Sequence, residues 1–186
     1  YNIYNFATCP IERLVEDGQG MSLRQLLKKP IFAAAIILMI CAGASEMSMA
    51  QWASAFAESA LGLTKSVGDL AGACLFATTM GISRMLYGKF GEKIDLIKFM
   101  LVSGVICVVS YLLAGLSAMP IWGLVGCVMC GFSVGIMWPG SISITAPRIP
   151  KGGTALFALL AMAGDMGGAF GPSVVAVSYT HLTLPT

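Results

Sequence analysis

The stretch Pro30–Trp52, PIFAAAIILMICAGASEMSMAQW, constrains this chain more than any other. It follows the basic residues Arg24, Lys28 and Lys29 and closes on a tryptophan. As a helix rising about 1.5 Å per residue, it is long enough to cross a hydrocarbon core roughly 30 Å thick. The basic flank reads as a cytoplasmic anchor and Trp52 as an interfacial ring on the opposite side. One ionisable residue, Glu46, sits within it, beside the small residues Ala42, Gly43, Ala44 and Ser45. A charge in hydrocarbon costs roughly 3 kcal/mol or more, so Glu46 is expected to face protein or a wet cavity. Its small neighbours let another helix come close.

The rest of the chain repeats this pattern. Hydrophobic residues make up 57% of it and charged ones 11%, with a mean hydropathy of +0.84. A soluble domain of 186 residues cannot bury that much apolar surface. The expectation is an all-α, polytopic transmembrane helix bundle with spans near 30–52, 67–87, 96–116, 121–145 and 154–177. Residues 1–29 read as a polar cytoplasmic loop, ending in a short amphipathic turn with leucines at 23, 26 and 27 that suits a membrane surface. Residues 178–186, SYTHLTLPT, are too polar to extend the last span and read as a non-native or truncated tail, so His181 carries no functional argument. The chain opens on Tyr1 with no signal peptide, and is read as starting inside a longer one.

Charge placement orients the bundle. With the N-terminal loop cytoplasmic, ten of the eleven Lys and Arg residues fall on the inner side and only Lys65 on the outer. The chain is therefore expected in the cytoplasmic membrane. A formal charge of +2 gives no reason to invoke nucleic acid. The six cysteines lie mostly in apolar spans, where they act as small hydrophobes rather than a disulfide framework. Cys127-x-x-Cys130 is buried in an apolar run without a second pair, so no metal site and no cofactor is expected.

Two stretches carry a family resemblance. Gly88-Lys-Phe-Gly-Glu92-Lys93 joins the second and third spans, although Asp95 stands where a second glycine is usual. Gly164-Asp165-Met-Gly167-Gly168-Ala-Phe-Gly171-Pro172 gives the fifth span two small-xxx-small pairs and a bending proline. Together with the basic opening loop and paired helices, they resemble the C-terminal half of the major facilitator superfamily, helices seven to eleven. Trp138-Pro139-Gly140 and the acid of the first span are similar to sugar-type permeases such as the fucose permease group. The resemblance implies a secondary transporter that moves a small-molecule solute by alternating access, with a missing N-terminal half and twelfth helix as partners. It also implies a gating loop in which Gly88 turns, Glu92 caps and pairs, and Lys93 holds the cytoplasmic gate.

Asp165 lies about 18 Å into its helix, near the midplane where substrate and coupling-ion sites sit, and is expected to bind substrate or protons. Glu46 lies about 24 Å past Pro30, in the outer half of the first span, as a candidate for the outer cavity. Trp138 is placed to stack on a substrate or to anchor at the interface. Asp69 reads as a helix-start residue favoured by the dipole, and Arg84 as a side chain snorkelling to the inner face. Gly123, Cys127, Gly131 and Gly135 recur at four-residue spacing and form a packing ridge, and Gly164 and Gly168 another.

Two other classes stay in view. Gly131-Phe-Ser133-Val-Gly135 matches the G-x-S-x-G pattern of serine hydrolases, but Ser133 has no strand-to-helix turn and no histidine in the spans to serve as base. A channel or structural membrane subunit would show repeated polar rings if it formed a pore, and none recurs. The expectation is a non-enzyme.

Overall fold

The structure, a computed structural model, describes residues 20–91 and 93–183 together with Tyr4 and Thr8. Its elements are α1 (Leu23–Leu27), α2 (Pro30–Leu61), α3 (Lys65–Phe90), α4 (Leu96–Leu116), α5 (Pro120–Val134), α6 (Met137–Thr145) and α7 (Gly153–Thr183). Two single 3-10 turns, Ala146–Arg148 and Pro150–Gly152, join α6 to α7. There is no strand among the described residues. Five segments are long and apolar enough to cross a bilayer, with α5 and α6 together forming the fourth. The protein is an all-α transmembrane bundle.

The helix ends follow local chemistry. Ser22 and Gln25 form a reciprocal capping box that starts α1. Pro30 and Pro120 occupy first-turn positions, where a missing N–H costs nothing. Asp95 caps α4 by accepting from the backbone N–H groups of Ile97 at 3.1 Å and Lys98 at 3.3 Å. Those bonds, first the one from Lys98, hold its carboxyl below the usual carboxylate range, and the nearby Lys98 charge adds to the effect.

Three boundaries differ from the sequence reading. First, α2 does not stop at Trp52 but runs to Leu61. No breaker occurs between Ala53 and Leu61, and the helix ends where Gly62 takes the left-handed conformation at φ 60°. Second, the backbone of α7 stays helical past Val177 to Thr183, through the first residues of the stretch read as too polar to continue it. Third, Trp138-Pro139-Gly140 reads from the sequence as the interruption of the fourth span, whereas the break falls earlier, at Gly135 and Ile136. Pro139 has no N–H to give the carbonyl four residues earlier, so the interruption appears one turn before the proline itself.

Packing centres on α2, whose most extensive contact is with α7. Glycines set that distance. A Cβ on Gly43 would collide with the Gly164 carbonyl, one on Gly167 with the Ile40 carbonyl, and one on Gly171 with Ala44. Backbone therefore meets backbone along this seam, as in small-residue membrane interfaces. On the other side Gly72 admits the Ala53 carbonyl, bringing α3 against α2. Ser54 donates a hydrogen bond to Asp69 across the same hairpin, so Asp69 ties two helices together and leaves the N-cap position to Thr64.

The short α1 is not simply laid on a lipid surface. Leu26 is fully buried with Phe32, Met39, Ile149, Leu156 and Leu160, while Leu23 and Leu27 stay exposed. The Met21 N–H also donates to the Lys151 carbonyl at 2.9 Å, fastening this segment to the α6–α7 connection.

Candidate functional site

The broken helix builds the site. With Pro139 unable to donate, the Gly135 carbonyl has no helical partner, and an orphan carbonyl in apolar surroundings costs several kcal/mol, on the order of one lost hydrogen bond. Arg84 of α3 supplies the missing donor, its Nε lying 3.1 Å from the Gly135 oxygen. That bond turns the arginine toward the interior. Its Nη2 comes to 3.9 Å from Oε1 of Glu46 on α2. At that separation the two are an ion pair without a hydrogen bond.

Around the pair lies an open cavity of about 460 Å³, lined by Glu46, Arg84, Trp138, Pro139 and Ile142. Glu46 is the more sheltered partner, with 19% of its side chain exposed against 47% for Arg84. Trp138 is held from behind: an ideal Cβ on Gly164 would sit 2.5 Å from the indole ring, so only glycine lets α7 approach it. Next to Glu46, the Tyr111 hydroxyl donates to the Ser45 carbonyl at 2.8 Å, linking α4 to this level of α2. The arrangement offers one anion, one cation and an aromatic wall in a space wide enough for a small solute.

A deeper cluster packs Met49, Phe76, Cys107, Cys127, Cys130 and Val134 together. Cys127 Sγ lies 3.4 Å from Met49 Sδ, and Ser133, fully buried, donates to the Cys130 carbonyl at 2.9 Å. Ser133 thus serves its own helix backbone. No group of three or more His, Cys, Asp or Glu side chains gathers among the described residues.

Two of the three solute-contact candidates, Glu46 and Trp138, meet at the cavity. Asp165 does not. It is exposed on α7, one residue from Gly164, and has no hydrogen-bond or ion-pair partner among the described residues. Glu46 stands sixteen residues after Pro30 and fifteen before Leu61, at the middle of α2.

The glycine positions are equally definite. An ideal Cβ on Gly131 would lie 2.5 Å from the Phe76 carbonyl, and one on Gly135 2.7 Å from that of Met80, where α5 meets α3. One on Gly168 would come 2.9 Å from the Met47 side chain. Gly88 lies inside the last turn of α3 with open space around it, so it makes no tight turn; the helix ends at Gly91. Lys93 is exposed, and its N–H donates to the Phe90 carbonyl at 2.9 Å. Glu92 lies outside the described residues.

Sequence reasoning missed Arg84, taken for a snorkelling residue. The signal was present in the proline: an unpaired carbonyl within an apolar span calls for a donor from a neighbouring helix.

Five segments able to span a membrane, the fourth of them broken, thus enclose a mostly apolar cavity that holds one ion pair and is lined from three helices. The family model of the Major Facilitator Superfamily matches residues 10–172. The chain belongs to the major facilitator superfamily. Members of this superfamily are membrane transporters of small molecules, and none of the cavity's features requires more than that. No curated protein and no solved structure matches this major facilitator chain.

Proposed function

We propose that this chain forms part of a secondary active transporter that couples movement of a small solute to a proton gradient by alternating access. In this reading it supplies helices seven to eleven, with its N-terminal loop cytoplasmic, and rocks against an N-terminal half about the cavity. The observation that carries the proposal is the convergence of Glu46, Arg84 and Trp138 from three different helices on one cavity. An acid so placed is expensive to keep and takes up or releases a proton at low structural cost. Glu46 is the preferred proton carrier, and Asp165, exposed beside the Trp138 wall, is the second. Trp138 forms the solute face, while Lys93 and Glu92 act in the gating loop.

The test is uptake by the complete transporter in proteoliposomes. Glu46→Gln and Asp165→Asn are each expected to insert normally and to keep solute exchange. At least one should lose accumulation against a gradient. Undiminished accumulation by both variants overturns proton coupling through these carboxylates.

A further inference from the structure

We infer that the transported solute is an organic monocarboxylate, bound by Arg84 once Glu46 takes up a proton. This rests on the transporter reading above and adds the chemical class of its cargo.

The reasoning starts from how Arg84 is spent. Its Nε is committed to the Gly135 carbonyl, which leaves the two Nη groups of this cavity-lining arginine outside that bond. A planar guanidinium edge presents two parallel N–H donors and matches a carboxylate fork. The group now opposite that edge is itself a carboxylate, Glu46, held at 3.9 Å and therefore short of a hydrogen bond. The cavity is thus occupied by an intramolecular stand-in, loosely engaged, for the ligand its cation fits.

Charge then selects the ligand. With Glu46 ionised the pair is neutral and has no call for a further charge. With Glu46 protonated, the site carries one uncompensated positive charge, which a single carboxylate neutralises. Arg84 is half-exposed, but the rest of the cavity lining is apolar, so an anion paired with its charge there is favoured, and proton and anion enter together. The proton rests on a Glu46 oxygen and the carboxylate on the Arg84 Nη edge, and the net charge of the site is unchanged. The remaining lining, Trp138, Pro139 and Ile142, is apolar and suits the hydrocarbon or aromatic part of such an acid.

Other groups near Glu46 do not compete for this role. Arg84 is the charged side chain facing it among the described residues. From α4, Tyr111 is committed to the Ser45 carbonyl. From α5, the thiols of Cys127 and Cys130 are buried in the core behind, with Cys107 of α4. From α6 come Trp138, Pro139 and Ile142, none of them titratable. On α7, Asp165 is exposed and lies outside the cavity lining.

The experiment titrates the complete transporter in detergent with benzoate, lactate and butyrate, and with their neutral amides. Heat and proton uptake are recorded across pH. At least one acid is expected to bind with uptake of a proton, more tightly as pH falls, and its amide to bind not at all. Arg84→Gln should weaken that binding by about thirtyfold, the worth of a charge-assisted hydrogen-bond pair. Arg84→Lys, which keeps the charge without the fork, should weaken it less and shows that the fold is intact. Glu46→Gln should bind the acid with no proton uptake and no pH dependence. Binding of the amide as tightly as the acid, unchanged binding in Arg84→Gln, or no binding of any of the three acids overturns the assignment. If a neutral solute is instead accumulated with protons, the transporter reading stands and the monocarboxylate falls. If Glu46→Gln and Asp165→Asn both accumulate solute like the unaltered protein, the coupling reading itself falls.

Discussion

Arg84 completes the backbone of a helix it does not belong to: its Nε holds the Gly135 carbonyl that Pro139 leaves without a donor. One proline on α6 therefore sets the position of the arginine on α3. Pro139→Ala gives the carbonyl its own N–H and removes the reason for that bond. The variant is expected to unfold no earlier than the unaltered protein in a thermal scan, yet to transport more slowly, because Arg84 loses the hold that aims it at the cavity. A lower unfolding temperature with unchanged transport would reverse this account.

The seam between α2 and α7 predicts a sharp contrast among glycines. Gly43→Ala places a methyl against the Gly164 carbonyl, with backbone on both sides and no side chain to yield. The expected cost is about 1–3 kcal/mol, as for other overpacked sites. Gly81→Ala adds its methyl to open space within α3 and is expected to be neutral or stabilising, by up to about 1 kcal/mol through helix propensity. Apparent unfolding temperatures in one detergent decide between them, and equal shifts would mean that the seam is not close-packed.

Leu26 and its neighbours test the fastening of the first segment. Leu26→Ala opens a hole beside Phe32, Ile149, Leu156 and Leu160, with an expected loss of about 2–4 kcal/mol from the local structure. Leu23→Ala and Leu27→Ala remove exposed side chains and should cost far less. Limited proteolysis around residues 20–29 reads the difference: rapid cleavage in Leu26→Ala alone is the expected pattern.

The start of α4 should be pH-sensitive. Asp95 has its carboxyl lowered from the ordinary value of 3.8, chiefly by the Lys98 N–H, so the folded state prefers the charged form. Its contribution is present above the unfolded value and is lost as pH falls through the lower folded value. Hydrogen exchange at the Ile97 and Lys98 amides should accelerate over that acid window, and in Asp95→Ala it should be fast at every pH. Protection in Asp95→Ala equal to that of the unaltered protein would sink the cap assignment.

Much of the bundle was legible because bilayer physics writes it in runs: five apolar stretches, charges between them, prolines and glycines at the joints. The ends were less legible. Ala53–Leu61 holds no breaker, and only the backbone conformation at Gly62 reveals where the helix stops. The site was half legible. Glu46 and Trp138 stand out as costly or amphipathic residues in an apolar context, but their meeting depends on how α2 and α6 pack. Arg84 lines the cavity and Asp165 does not, for the same reason. Depth along a helix can be counted from sequence; the direction a side chain faces depends on neighbours the count does not contain.

Gly164 has two faces in use at once. One receives the Gly43 region of α2 and the other the indole of Trp138. Any displacement of the indole is therefore met by bare backbone, with no compliant side chain between Trp138 and the α2–α7 pair. Packed interfaces of this kind shift as units rather than deform. The indole is in effect the short arm of a lever whose long arm is the full length of two membrane-crossing rods.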